Sequence, residues 1–297
     1  MLSREDIEKE LGKGISIYPF NYDNFKENSI NLSASDCAWT LGEGKVLIDY
    51  GTGKAVLSHE DKDANINFKK GDSAVIEIRG TKYILLLPHS TTLIETVETI
   101  AIGPNIGGTY HSKVGLVSLG LGHIGTMIGP NFTGRSLVAV HNVVNEIIIL
   151  KVNDTFVSVV LHYLNTSLKN TINPTISGHV EKLSEYGIKI TQEQRESLVA
   201  DWQSKKDEIK QKMMSSGSYN EYIKQKRKNK NTLKSYFTKR NAFIILGLSA
   251  IVAILLIGGY LLDKNFSTTD WSNRAWSIIG SGIFVTIIAA LIKCIKK

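Results

Sequence analysis

Residues 98–142 read ETIAIGPNIGGTYHSKVGLVSLGLGHIGTMIGPNFTGRSLVAVHN, and this stretch decides the fold of the chain. Its short apolar runs are broken repeatedly by Gly and Pro, which is the pattern of short strands joined by tight turns. No helical period of apolar residues runs through it. Seven glycines between Gly103 and Gly125 allow the backbone to approach itself or a ligand closely. The stretch therefore predicts a compact β-fold.

Strand-like segments also lie on both sides of this stretch. Residues 74–79 and 82–87 are apolar runs separated by Gly80 and Thr81, which predicts a hairpin, and residues 155–163 predict a further strand. Many short strands separated by turn residues are typical of an all-β barrel or jelly roll. We expect such a domain over residues 1–165, opened by a short capped helix at 4–11.

The periodicity changes beyond this domain. Residues 166–241 predict a helical, basic, juxtamembrane stalk, in which Thr191 and Gln194 form a capping box that opens a helix to about Met214. The apolar positions of that helix are sparse, which favours a solvated helix that packs one edge on the barrel rather than a long coiled coil. Residues 219–240 are strongly basic and predict a helix along a membrane surface.

Two apolar runs follow and predict a transmembrane hairpin over residues 242–297. Residues 242–262 and 275–292 contain no charged side chain, and 21 residues of helix extend roughly 31 Å, about the thickness of the hydrocarbon core. Basic residues flank the hairpin on its outer sides. The positive-inside rule then predicts a multi-pass membrane protein with two spans, with both termini cytoplasmic and the lipid bilayer as a partner.

The distribution of charge argues against a nucleic-acid-binding protein. The chain has a net charge of +7, but residues 224–297 hold 13 Lys and Arg against 2 Asp and Glu, whereas residues 1–223 are net negative. A nucleic-acid-binding domain would carry its basic residues on the fold itself. A basic stripe beside the apolar runs fits a membrane surface better.

Cysteine and histidine spacing gives no indication of a metal site. Cys37 and Cys294 lie far apart, and no CxxC pair or Cys/His cluster has the spacing of zinc ligands. We expect two unpaired thiols in a reducing compartment, no bound metal, and no cofactor beyond a Mg²⁺ ion that a nucleotide could bring with it.

Several motifs in the first half carry a resemblance to a known family. They are Leu2-Ser-Arg-Glu-Asp-Ile7, Ile15-Ser-Ile-Tyr-Pro-Phe20, Ser29-Ile-Asn-Leu32 and Ile128-Gly-Pro-Asn-Phe-Thr-Gly134. In order and spacing they resemble the dCTP deaminase/dUTPase family of trimeric β-barrel nucleotide enzymes. The resemblance implies a mainly β fold, a dUTPase-like distorted β-barrel or jelly roll. It also implies a homotrimer that binds a nucleotide.

The resemblance places a nucleotide site on five residues. The family's phosphate-binding Gly-Arg-Ser-Ser-Leu motif falls on residues 112–116, which implies nucleotide contacts from Ser112, Lys113 and Gly115. Neighbouring motifs add His123 and Asn142. Lys113 keeps a positive charge where the family has arginine, but it lacks the planar fork that binds phosphate in a bidentate manner.

The positions that carry the family's acids are changed in this chain. The aspartate of dUTPase-type sites falls on Gly129, and the glutamate that serves as general base in the deaminases falls on Ala139. Neither side chain can accept a proton from water. His111, His123 and His141 lie nearby, but a lone histidine in a strand is more often structural, so we expect no catalytic residue.

Three functions remain open from the sequence. The first is a membrane-anchored, catalytically inactive nucleotide-binding protein that senses a dNTP or another nucleotide signal, or acts as a membrane effector, with bacterial antiphage defence as an extension by analogy. The second is an active, membrane-tethered dCTP deaminase or dUTPase. The third is a trimeric membrane scaffold without a ligand.

Overall fold

The computed structural model describes residues 1–49, 54–57, 66–122, 125–166 and 180–229. The chain divides into two compact units, Met1–Tyr222 and Ile223–Lys297. In the second unit the structure describes residues 223–229, which continue a helix that begins at residue 217. The first unit holds all of the strands described below, so it contains the β-domain that the sequence predicts.

The described part of the first unit is mainly β, as predicted. Its strands are β1 (Ile15–Tyr18), β2 (Ile30–Thr40), β3 (Gly44–Asp49), β4 (Lys54–Leu57), β5 (Ile66–Phe68), β6 (Val75–Ile78), β7 (Thr81–Leu86), β8 (Ser90–Ile102), β9 (Ile106–Ser112), β10 (Leu121–Gly122), β11 (Met127–Ile128), β12 (Thr133–Asn142), β13 (Ile148–Lys151) and β14 (Thr155–Tyr163). Its helices are α1 (Arg4–Glu10), α2 (Val114–Val117), α3 (Val180–Glu185), α4 (Gln192–Leu198) and α5 (Lys206–Ser215). Two 3-10 turns lie at Tyr22–Asn24 and Asp201–Ser204.

One large sheet and two small ones make up the β-structure. The large sheet has the order β10-β12-β8-β2-β14-β9-β11, and β1 also pairs with β8. The small sheets have the orders β13-β7-β6 and β4-β3-β5. All the pairs are antiparallel. Strand β8 is central because three other strands pair with it, and its neighbours β2 and β12 both shift register beside its middle.

Local signals account for several element boundaries. Ser3 caps α1 in a reciprocal capping box with Asp6, as predicted. The turn between β6 and β7 consists of Arg79 and Gly80, both with positive φ, which is the geometry of a two-residue hairpin. The predicted break was therefore one residue too late. Gly187, with a φ of +77°, follows the end of α3, as is common for a glycine that ends a helix.

The segment after the barrel differs from the single long helix that the sequence predicted. The Thr191 capping box is present, but α4 ends at Leu198, a 3-10 turn follows, and α5 starts afresh at Lys206. The break has a physical reason, because Leu198 turns into a buried cluster on the barrel while α5 packs on β1 through Ile209 and Met213. Tertiary burial thus overrides local helix propensity here.

The predicted membrane location is overturned by the structure. Among the described residues, no helix is long and apolar enough to cross a bilayer. The prediction of a multi-pass membrane protein is therefore wrong on this finding. The runs at 242–262 and 275–292 lie outside the described residues.

Candidate functional site

Lys113 lies between the end of β9 and the start of α2, where the sequence placed a phosphate contact. Its Nζ donates to the carbonyl oxygen of Thr155 at 3.2 Å and to the Thr155 hydroxyl. Burial lowers the pKa of Lys113, the nearby Lys26 lowers it further, and Asp154 opposes both. The contacts with Thr155 use two of the three N–H groups of the ammonium, which leaves one donor for an anion.

The two small residues of the predicted motif lie in different surroundings. Gly115 is exposed, and no atom lies within 4 Å of the position that a Cβ would occupy, so the backbone there does not require glycine. Ser112 borders a cavity of about 10 Å³, which is room for a single water at most. The other lining residues are mainly apolar: Leu116, Leu121, Gly122, Val138, Val140, Leu150 and Phe156. This cavity cannot hold a nucleotide.

Asn142, which the resemblance assigned to the nucleotide, has a structural role. The side chain is buried, and its Nδ2 donates to the carbonyl oxygens of Leu86 at 2.9 Å and Glu146 at 2.8 Å. Its Oδ1 accepts from the Val144 N–H at 3.1 Å. Both amide hydrogens are therefore used within the chain, and the side chain ties the end of β12 to β7 and to the following turn.

The two candidate histidines that the structure describes each lie within hydrogen-bond distance of a threonine hydroxyl. His123 lies outside the described residues. His111 is exposed, with Nε2 2.8 Å from the Thr109 hydroxyl, and His141 is half-buried, with Nδ1 2.8 Å from the Thr91 hydroxyl. In the described part of the chain, no three His, Cys, Asp or Glu side chains gather as metal ligands would.

Residues 1–164 match the dCTP deaminase-like family. The chain belongs to that family. The match covers more than half of the sequence and confirms the resemblance that the motifs indicated. No curated protein matches the chain.

Several solved structures share features of this fold at low sequence identity. The 2′-deoxycytidine 5′-triphosphate deaminase from Agrobacterium tumefaciens matches with a TM-score of 0.37 and 13% identity, over 62% of this chain and 52% of the enzyme. The dUTPase of EIAV matches with a TM-score of 0.27 and 20% identity, over 36% of this chain and 90% of the dUTPase. The dUTPase from phage phi11 of S. aureus matches with a TM-score of 0.26 and 16% identity, over 31% of this chain and 79% of the phage enzyme. The match thus spans about half the length of the Agrobacterium enzyme.

In this dCTP deaminase-like chain, the two positions of the family's acids lie in unlike places. Gly129 is exposed, with nothing within 4 Å of a Cβ position. Ala139 is half-buried on β12 and packs against a cluster of Cys37, Trp39, Leu93, Leu183, Ile188 and Leu198. The position to which the resemblance assigned the family's general base therefore makes an apolar contact with residues 183–198 of the same chain.

The predicted nucleotide residues and Ala139 also fail to converge within one chain. Successive side chains of a strand point to opposite faces. On β12 the side chains of Val138 and Val140 border the cavity beside Ser112, whereas Ala139 lies on the other face. Ser112 and Ala139 therefore lie on opposite faces of the sheet.

A carboxyl group that the sequence argument missed lies beside Ala139. Glu95 on β8 is opposite Leu137, and Leu93 is opposite Ala139, so Glu95 is a diagonal neighbour of Ala139 on the same face. The side chain is 1% exposed, and burial raises its pKa to about 7, although the nearby Arg135 lowers it. An acidic residue inside a strand of apolar character was the signal that could have identified it.

Glu98, a second acid on the same strand, is held by hydrogen bonds from other parts of the β-domain. Its Oε2 accepts from the Ser33 N–H at 2.7 Å, and its Oε1 accepts from the Ser33 hydroxyl at 2.8 Å and from Asn24 Nδ2 at 3.3 Å. Burial raises the pKa of Glu98, while the bonds from Ser33 lower it. These contacts connect β8 to β2 and to the turn at Tyr22–Asn24, which is a structural role.

Proposed function

We propose that this protein binds a nucleotide without performing the deamination or hydrolysis after which its family is named. The observation that carries the proposal is the packing of Ala139. General-base catalysis needs a group that can accept a proton within hydrogen-bond reach of the attacking water. At that position the chain has a methyl group in contact with an apolar cluster, and a methyl group cannot accept a proton.

Lys113 is the group that we assign to the nucleotide's phosphates. Its ammonium is held by Thr155 and keeps one N–H for an external acceptor, and Lys26 adds positive charge nearby. A charge-assisted hydrogen bond to phosphate contributes about 1.5–3 kcal/mol. The ligand class is a deoxynucleoside triphosphate or another nucleotide signal, whose binding would shift the protein between two states of different affinity.

Exposed apolar side chains support assembly as a homotrimer. Val114 is 84% exposed, Leu119 is 59% exposed and Val143 is 64% exposed. They are neighbours, because the Val143 N–H donates to the Gly120 carbonyl oxygen at 3.1 Å. An apolar patch on α2 and the turns beside it is typical of a surface that another chain covers. In such an assembly a neighbouring copy would complete the surroundings of Lys113.

The proposal is tested by a thermal-shift scan of the full chain against dNTPs, NTPs and cyclic nucleotides, with chromatography of the same samples. A ligand bound only by the folded state raises the melting temperature. We expect one nucleotide class to raise Tm without product. Lys113→Ala should lose the shift, whereas Lys70→Ala, which removes an exposed lysine elsewhere, should keep it. Turnover at ordinary enzyme rates would refute the proposal.

The second candidate function is an active deaminase or dUTPase. The buried carboxyl of Glu95 near Ala139 is the observation that favours it. This carboxyl lies one strand away from Ala139 on the same face, and a pKa of about 7 suits a general base. Product formation that Glu95→Gln abolishes, with the thermal shift retained, would establish this candidate. If no nucleotide raises Tm and no product forms, the trimeric scaffold without a ligand is the remaining candidate.

A further inference from the structure

The face of β2, β8 and β12 that carries Ala139 is covered by residues 180–204, here called the cover. Leu183, Ile188 and Leu198 of the cover are buried, and they pack on Cys37 and Trp39 of the barrel. The two helices of the cover have 6 and 7 residues, which is too short to be stable in water without tertiary contacts. The cover therefore keeps its structure only while it rests on the barrel.

Polar groups lie unpaired beneath this apolar cover. Of the eight buried side-chain atoms that have no hydrogen-bond partner in the described part of the chain, three belong to residues of this face: Trp39 Nε1, Glu95 Oε2 and Arg135 Nε. Buried polar groups are nearly always paired in folded proteins, and each unpaired one costs about 1–3 kcal/mol. Water would reach these three atoms if the cover moved away. The unpaired polar atoms therefore offset part of the free energy that the apolar contacts of the cover contribute to the closed state.

One of these residues connects the barrel to the cover. Arg135 Nη1 donates to the Ser197 hydroxyl of α4 at 3.3 Å. Arg135 also lies near Glu95, whose carboxyl is fully buried in the same region of the face. A carboxylate is a stronger acceptor for a guanidinium than a hydroxyl is. The charge on Glu95 therefore decides whether Arg135 has a better partner than Ser197.

We propose that the cover is a pH-responsive device, which protonated Glu95 keeps closed on the barrel and ionised Glu95 releases. In the closed state a neutral carboxyl is tolerated next to apolar side chains, and Arg135 donates to Ser197. Ionisation places a charge in the same surroundings and draws Arg135 toward Glu95. Opening lets water solvate the carboxylate and the other unpaired groups. This proposal does not depend on nucleotide binding.

The other titratable groups around Glu95 come from several elements. Burial and Asp36 raise the pKa of the Cys37 thiol on β2 to about 11, and burial raises that of Tyr110 on β9 to about 12, so both stay neutral across the range that matters. His141 lies on β12 and Glu98 on β8. The charged residues of α4 on the cover are exposed to solvent: Glu193, Arg195 and Glu196.

The size of the effect follows from the difference between the two states. In the closed state burial holds the pKa of Glu95 at about 7, whereas the ordinary value of 4.5 applies once the face is solvated. The open-to-closed ratio should therefore rise about tenfold per pH unit between these values and level off above pH 7. The full change is about 300-fold.

Cys37 provides the readout because it is buried beneath the cover in the closed state. We would label the full chain with a thiol reagent from pH 5 to pH 8 and follow Cys37 by peptide mass, which separates it from Cys294. The ratio of the wild-type rate to the Glu95→Gln rate cancels the pH dependence of the thiol itself. We expect this ratio to climb roughly tenfold per pH unit up to about pH 7.

Two further variants make the test specific. Glu98→Gln removes a second buried carboxyl of β8, one held by Ser33 and Asn24, and should label as the wild type does. Leu198→Ala weakens the cover and should speed labelling at pH 5. Identical pH profiles for the wild type and Glu95→Gln would overturn the proposal. If Glu95→Gln fails to fold, the Leu198→Ala variant decides the test. Cys37 labelling at pH 5 that is as slow in Leu198→Ala as in the wild type would overturn the proposal.

Discussion

Replacing Glu95 by Gln should make the protein more stable at neutral and alkaline pH and leave it unchanged in acid. Glu95 is 1% exposed, and burial raises its pKa from 4.5 to about 7. A carboxyl with a raised pKa in the folded state holds its proton there after the unfolded chain has released its own. Folding is therefore penalised progressively as the pH rises from 4.5 to about 7, and the penalty is constant above that.

The magnitude follows from those two values. The interval between 4.5 and about 7 corresponds to about 3 kcal/mol, at about 1.4 kcal/mol per pH unit. Gln has nearly the shape of protonated Glu and does not titrate. We therefore expect the free energies of unfolding of Glu95→Gln and wild type to agree near pH 4.5 and to differ by about 3 kcal/mol, in favour of the variant, at pH 8.

Urea unfolding followed by tryptophan fluorescence at several pH values measures this difference. Glu193→Gln is the matched control, because Glu193 lies on α4 but is exposed, and it should follow the wild type at each pH. A constant difference between Glu95→Gln and wild type from pH 4.5 to pH 8 would show that burial does not hold the proton on Glu95. A second outcome would separate the two ideas. If Glu95→Gln loses the pH dependence of unfolding but its Cys37 is labelled with the same pH profile as in the wild type, Glu95 titrates without moving the cover.

The remaining predictions concern binding and stability. Lys113→Ala should weaken binding of a nucleotide triphosphate about 10- to 100-fold by calorimetry, with little change in the urea midpoint, because it removes a charge-assisted bond. Asn142→Ala should lower the free energy of unfolding by about 3 kcal/mol, because it strands two carbonyl oxygens and one N–H; a loss below 1 kcal/mol would contradict that structural role. Gly71→Ala should destabilise far more than Gly80→Ala in thermal melts. Both glycines have positive φ, but a Cβ at Gly71 would lie 2.5 Å from the Gly187 carbonyl oxygen, whereas the surroundings of Gly80 are open.

The strand pattern of this chain could be anticipated because it depends on local sequence. The alternation of apolar residues and the turn residues placed β14 at Thr155–Tyr163 as predicted, and the Ser3 and Thr191 capping boxes both formed. Family motifs depend on the same short-range order, so the dCTP deaminase-like resemblance was confirmed over residues 1–164.

Side-chain roles at the site could not be anticipated in the same way. The sequence assigned Asn142 to a ligand, but the carbonyl oxygen of Leu86, 56 positions earlier, occupies its amide. Glu95 is an acidic residue inside an apolar strand, but its raised pKa could not be anticipated because it depends on burial by distant parts of the chain. Contacts of this kind become visible only when strands distant in sequence are paired.

The sequence by itself determined the β-rich fold, the capped helices and the family, because each is encoded by residues close together in the chain. It also predicts, through the resemblance, that Gly129 and Ala139 stand where the family has acids. Only the tertiary structure decided that Ala139 is covered by residues 180–204, that Lys113 is held by Thr155, and that Glu95 is buried beside Arg135. These outcomes depend on which surfaces exclude water from one another, and no local pattern specifies that.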